Sequence, residues 1–320
     1  MLEKQRSEKA ALLGAMLQVR KNDTLEKRVG KILEDISTKP NAEHVIEAYA
    51  CIAAMHAEGF KFLKQQVLAE TIKYDLRKLR SDILDKLGEE IVASNQDCPI
   101  FTRHQIIAET AVKILSESPY YKDFENDIYP LLAESAERLW EKGSIGDGEI
   151  MKWRYDFPKY FADNIVNPRI SLAINIAEAV YKIEKSPQLF THLAQLYRKG
   201  SRLKTIIKLF RESSFTQSET DRRFYSEWAT TERDAENYAI AIWLYAIALA
   251  DSTPPLSPTL ENAMVYLSNM GFGFYCLCKL KQPFDIYAKA LGASEQLARS
   301  ISGLVEYPNK GDNNQRFAQK

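Results

Sequence analysis

Apolar residues recur at three- and four-residue intervals along most of this chain, the period that gathers them on one face of a helix. The pattern predicts helices over residues 2–20, 24–36, 43–58, 60–69 and 72–87, with the Lys39-Pro40-Asn41 step, Gly59 and Gly88 as stops. The rhythm then changes. Glu90-Ile91-Val92-Ala93-Ser94 and Pro99-Ile100-Phe101-Thr102 read as short strands about the turn Asn95-Gln96-Asp97. Helical spacing resumes with Thr102 as expected N-cap and Gln105 at the third helical position, a capping box. Further helices are predicted to about 117, over 124–142 and over 171–185, with an aromatic-rich stretch at 151–161. Residues 143–148, with three glycines, read as a flexible break and an internal boundary.

Beyond residue 186 the pattern acquires a ruler. Tyr197 and Phe210, Glu232 and Tyr245, and Phe274 and Tyr287 are each 13 residues apart. Each second member is followed three residues later by a small side chain (Ser213, Ala248, Ala290). Each first member is preceded by a bulky residue and then a small one (Leu193-Ala194, Trp228-Ala229, Met270-Gly271). Periods of 35 and 42 residues, with small residues where helices must approach, indicate stacked helical hairpins. The expected helices are 187–199 with 202–213, 219–232 with 236–250, and 257–280 with 284–304. Three helices and a β-hairpin upstream have the layout of a winged helix. The expected organisation is an N-terminal helical segment (1–39), a winged-helix-like unit (40–104), a helical connector (105–185), the hairpin array (186–306) and a disordered tail (307–320).

Composition narrows the function. The 320 residues are 45% hydrophobic, with 43 basic and 43 acidic residues and no formal net charge, which argues against a dominantly electrostatic partner such as bulk DNA or an anionic membrane. No apolar run is long enough to span a bilayer, and the first residues lack a signal-peptide core, so a cytoplasmic location is expected. Cys51, Cys98, Cys276 and Cys278 suit neither a disulfide framework nor a zinc site and are expected as reduced thiols. His44, His56 and His192 are isolated, and no nucleophile or metal motif occurs, so neither catalysis nor a metal is expected. Gly200-Ser201-Arg202-Leu203-Lys204-Thr205 lacks the glycine spacing of a phosphate loop and reads as a turn. Asp123-Phe124-Glu125-Asn126-Asp127 lacks the glycine and closing glutamate of a calcium loop and reads as a helix start. Lys73, Arg77, Lys78 and Arg80 place positive charge on the expected helix 72–87, but Asp75, Asp82 and Asp85 are interleaved, so DNA binding is a minor alternative.

Two resemblances add to this. The final 135 residues resemble tetratricopeptide repeats in spacing and residue class, best at Ala241, Tyr245 and Ala248 and departing at Ile206 and Pro283. The hairpin followed by Phe101-Thr102-Arg103-His104-Gln105-Ile106-Ile107-Ala108-Glu109 resembles the end of the winged-helix domain in STAND-type ATPases. Arg222-Arg223-Phe224-Tyr225-Ser226-Glu227-Trp228 and Ala248-Leu249-Ala250-Asp251 are similar to the helical region of bacterial STAND proteins used in phage defence. The resemblance implies an all-α fold, a winged-helix-like unit with a small β-hairpin followed by a tetratricopeptide-like solenoid. It also implies a sensor and oligomerisation role for a protein ligand such as a phage protein. ATP or ADP would enter only through an ATPase partner or module, since this chain contains no phosphate loop. On that reading His104, with Arg103, senses the nucleotide. Arg222, Arg223, Tyr225, Trp228, Arg233 and Tyr238 are candidates for a protein-binding groove, because aromatics and arginine favour hot spots. A free-standing tetratricopeptide-like adaptor and a winged-helix DNA-binding regulator are the rival readings.

Overall fold

The computed structural model describes residues 25–93, 98–216, 219–250, 268–269, 271–273 and 275. The helices expected over 2–20 and 284–304, the turn at 95–97 and the tail lie outside the described residues, as does most of the helix expected over 257–280. The described protein is all-α apart from one two-stranded antiparallel ribbon. It divides into two compact units, 1–184 and 185–320.

In the first unit, α1 (Leu25–Ser37) leads to α2 (Ala42–Ala57), which is the centre of the core. Eleven of its 16 residues are buried, from Val45 to His56. A helix that is apolar all round must be enclosed. Here α1, α6 (Gln105–Ser116), α7 (Phe124–Glu141), strand β2 (Phe101–Thr102) and a π-helical turn (Arg80–Leu84) enclose it. Ala48, Ala50, Ala53 and Ala54 let those neighbours come close to its backbone. The helix ends in a Schellman motif. Gly59 takes φ 82°, its N–H donates to His56 O, and Phe60 N–H donates to Met55 O.

Residues 60–64 are not helical, in contrast to the expected helix 60–69, and α3 runs only from Gln65 to Thr71. The expected helix 72–87 is also interrupted. Lys73 adopts φ 52°, and its flanking bonds (Lys73 N–H to Glu70 O, Tyr74 N–H to Ala69 O) form a second Schellman ending. A new rod starts at Asp75, whose carboxylate accepts from Arg77 N–H at 2.9 Å. It runs through α4 (Leu76–Leu79), the π turn and α5 (Asp85–Leu87), burying Leu79, Ile83, Leu84 and Leu87. Strand β1 (Ile91–Val92) pairs with β2 in the register Ile91 to Thr102 and Val92 to Phe101.

Residues 143–148 form a short connection inside this unit rather than a boundary. Ile145 is buried there, and Trp140 Nε1–H donates to Asp147 Oδ1 at 3.1 Å. The helix α8 (Asp147–Met151), a second π turn (Lys152–Asp156) and α9 (Phe157–Asp163) then form another rod, followed by α10 (Ile170–Ile183). Trp153, Phe157 and Phe161 join Phe60, Phe62 and Tyr129 in a cluster with centroids 4.7–6.1 Å apart, edge-to-face except for the tilted Tyr129–Phe161 pair. Glu137, fully buried on α7, is held by both ends of the Arg154 guanidinium, which also lies over the Trp140 ring at 4.0 Å. The segments expected as separate, 40–104 and 105–185, therefore share one core.

In the second unit, α11 (Pro187–Lys199), α12 (Leu203–Glu212), α13 (Arg222–Asp234) and α14 (Tyr238–Ala250) pack as successive neighbours, and α13 also lies against α11. Ser186 caps α11 and Pro187 occupies its first position, the start expected for this helix. The ruler positions are core positions: Tyr197, Phe210, Glu232 and Tyr245 are buried, as are Ala194, Ala229 and Ala248.

Candidate functional site

The corner where β2 meets α6 is built on a buried relay. Thr102 is fully buried, and its hydroxyl donates to His104 O at 3.1 Å. Its lone pair faces His56 Nδ1 at 2.6 Å, so His56 is assigned the Nδ1–H tautomer that donates to it. Burial holds the His56 pKa below the ordinary value, with further push from Lys61 and His104. The N-cap of α6 is His104 rather than Thr102. Its carbonyl accepts from Ile107 and Ala108 N–H, while its side chain makes no capping bond. Gln105 does not close a capping box either. Its side-chain amide donates to Ala57 O at 3.1 Å, tying α6 to the end of α2. The His104 and Arg103 side chains are both exposed, and Arg103 lies 3.6 Å from Glu89. The corner therefore offers one imidazole and one guanidinium to solvent, backed by a rigid hydrogen-bonded turn.

The basic residues expected on one helix do not share one. Lys73 sits in a left-handed turn, while Arg77, Lys78 and Arg80 lie on the next rod. A cavity of about 170 Å³ lined by Arg80, Leu84, Asp85, Gly88, Ile91 and Ala93 adjoins the first π turn. Among the described residues, no group of three or more His, Cys, Asp or Glu is placed to hold a metal ion. Cys51 is buried, and burial pushes its thiol well above the ordinary range.

The six groove candidates do not form one face. Trp228 stacks on Phe210 (5.3 Å, 3° between planes), and its indole N–H donates to Glu232 Oε1 at 3.1 Å. Tyr225 packs against the core, with its hydroxyl 3.0 Å from that of Thr220. Tyr238 packs on the same cluster and lies 6.4 Å from the Phe272 ring. Arg233 is held by Asp234 at 2.7 Å and by Asn269. Arg222 has Nη1 buried without a hydrogen-bond partner, and Arg223 is exposed. Tyr225, Trp228 and Arg233 are thus tied to neighbouring side chains, which leaves Arg223 as the exposed member of the set.

Sequence reasoning missed two features of this unit. One is a buried polar seam. Glu232, fully buried, accepts from Arg211 Nη2 (3.0 Å), Trp228 Nε1 and Asn237 Nδ2 (2.6 Å). Glu227 accepts from Arg198 Nε at 2.6 Å. Burial raises its carboxyl pKa while Arg198 opposes that shift. The signal for Glu232 was its place on the ruler, where the other two units carry an aromatic. The other feature is the outer face of α14. This helix has no charged residue, and its inner face (Ala241, Ile242, Leu244, Tyr245, Ala248) is buried. Ile240, Trp243 and Ile247, at i, i+3 and i+7, are 41%, 59% and 38% exposed. Phe272 and Tyr275 are exposed as well, and a Cβ on neighbouring Gly273 would meet Ile242 at 3.0 Å. Such a stripe can seat the apolar face of another element by the i, i+3, i+7 pattern of helix recognition. Among the described residues no helix is long and apolar enough to cross a membrane.

A scan of protein-family models, a search of curated proteins and a search of solved structures each return no match for this chain.

Proposed function

We propose that this chain is a non-catalytic protein-recognition and oligomerisation region of the kind that follows the ATPase module in STAND-like bacterial defence proteins. The observation that carries the recognition reading is the outer face of α14, where an uncharged helix presents Ile240, Trp243 and Ile247 to solvent. Exposed aromatic anchors backed by a packed hairpin are the usual material of binding hot spots. The STAND part of the reading rests on the sequence resemblance over 101–109, with His104 and Arg103 exposed at the corner it covers. A protein ligand on the helical unit and an ATPase partner at that corner would be the two inputs. Coupling them requires that each prefer one of two arrangements.

The test is co-elution of the purified full chain with candidate phage structural proteins and with a nucleotide-binding partner, repeated with Trp243→Ser. Binding that is lost in the variant at unchanged helical content supports the reading. A well-folded chain that binds none of these proteins overturns it. Binding of the ligand without any ATPase partner would favour the free-standing adaptor instead.

A further inference from the structure

The stretch from Gln195 to Glu212 departs from the charge balance of the whole chain. It carries six basic residues and one acidic one, in a protein whose basic and acidic totals are equal. The structure sorts these charges. On α12, Ile206, Ile207 and Phe210 are buried, and Lys204, Thr205 and Lys208 are exposed on the opposite side. Helical geometry sets Lys204, Lys208 and Arg211 in one row, stepped by about 6 and 4.5 Å along the axis. Arg211 is anchored to Glu232 yet keeps half of its side chain in solvent. Lys208 faces Glu212 at 3.8 Å with both side chains well exposed, an ion pair that water and salt weaken.

The row is short, about 10 Å. The nearby Tyr197 is buried, so it offers no platform on which bases could stack. The neutral chain also lacks the long-range field of a nucleic-acid binder. Carboxylates spaced along a peptide fit such a row by charge complementarity. We infer that the outer face of α12, along Lys204, Lys208 and Arg211, is the docking site for an Asp/Glu-rich segment of a protein partner. This inference rests on the recognition reading above and names the chemistry of the partner.

The experiment uses the full chain and a fluorescent Glu/Asp-rich peptide, followed by anisotropy. Saturable binding is expected at about 50 mM salt, weakening steeply towards about 0.5 M as the Debye length shrinks. Lys204→Glu/Lys208→Glu should weaken binding by at least about tenfold, with Lys204→Gln/Lys208→Gln in between. Should the charge reversal disturb folding by circular dichroism, the glutamine pair decides. No binding at low salt, or equal binding by wild type and both variants, overturns the inference. So does tighter binding of a mixed-sequence DNA duplex under the same conditions, since the partner would then be nucleic acid. A partner captured by the charge-reversed variant but not by Trp243→Ser would sink this inference and leave the recognition reading standing.

Discussion

Removing Arg211 should cost the second unit more than removing the charge of its partner, Glu232, although the two form one ion pair. Glu232 is fully buried, whereas the Arg211 side chain is half exposed. In Glu232→Gln the guanidinium left behind swings into water, and Trp228 N–H keeps an oxygen to donate to. The loss is the difference between charge-assisted and neutral hydrogen bonds, about 1–2 kcal/mol. In Arg211→Ala a carboxylate remains inside with two neutral donors, Trp228 Nε1–H and Asn237 Nδ2–H. A buried charge stripped of its partner costs about 3–5 kcal/mol, and water entering where the arginine stem lay should hold the cost near about 3 kcal/mol. The double variant should fall close to Glu232→Gln, giving a coupling of about 3 kcal/mol. Because the chain has two units, a single melting curve is the wrong readout. Amide exchange within α13 and α14 reports the local opening energy directly. If Arg211→Ala lowers protection no more than Glu232→Gln, burial of the carboxylate is not what makes this seam matter.

Three further outcomes follow from other sites. His56 has its pKa depressed in the folded state, so the folded protein binds fewer protons than the unfolded one below the ordinary histidine value. Stability of the first unit should be fully present above about pH 6.5 and decline as pH falls below it. Exchange at the β1–β2 ribbon should report that decline, and His56→Gln should flatten it. Lys73→Gly and Glu236→Gly relieve left-handed residues (φ 52° and 64°) and should each stabilise the flanking helices by about 0.5–1 kcal/mol in amide exchange, while alanine at either position should not. Trp153→Ala empties the centre of the aromatic cluster and should cost the first unit about 3–5 kcal/mol, read by amide exchange in α7 and α9.

Much of the helical layout was legible because it depends on local signals. The helix α11 has the bounds expected, 187–199, with the expected turn starting at Gly200, and the apolar spacing of 171–185 marks α10. The ends that went astray are those decided by distant groups. The residue at the turn that breaks the expected helix 72–87 is a lysine, and no local rule puts lysine at φ 52°. Gln105 had the spacing of a capping box but found Ala57 O, 48 residues away. The same limit hid the buried carboxylates. Glu137, Glu232 and Glu227 find their arginines 17, 21 and 29 residues away. In the candidate recognition surface, aromatic content was readable but its direction was not. Trp228 and Tyr225 turn inwards because Phe210 and Thr220 meet them there, while Trp243 is left facing water.

The two π turns, Arg80–Leu84 and Lys152–Asp156, each hold one residue more than an ordinary helical turn would need. That surplus residue acts as a phase shifter. It brings Leu79 and Leu87, eight residues apart, to within about 20° of each other around the axis, so both are buried without a loop between them. Deleting a single residue from either turn would restore an uninterrupted spiral and keep the downstream core contacts in phase, whereas deleting two would rotate everything downstream by about 100° and turn those contacts towards solvent.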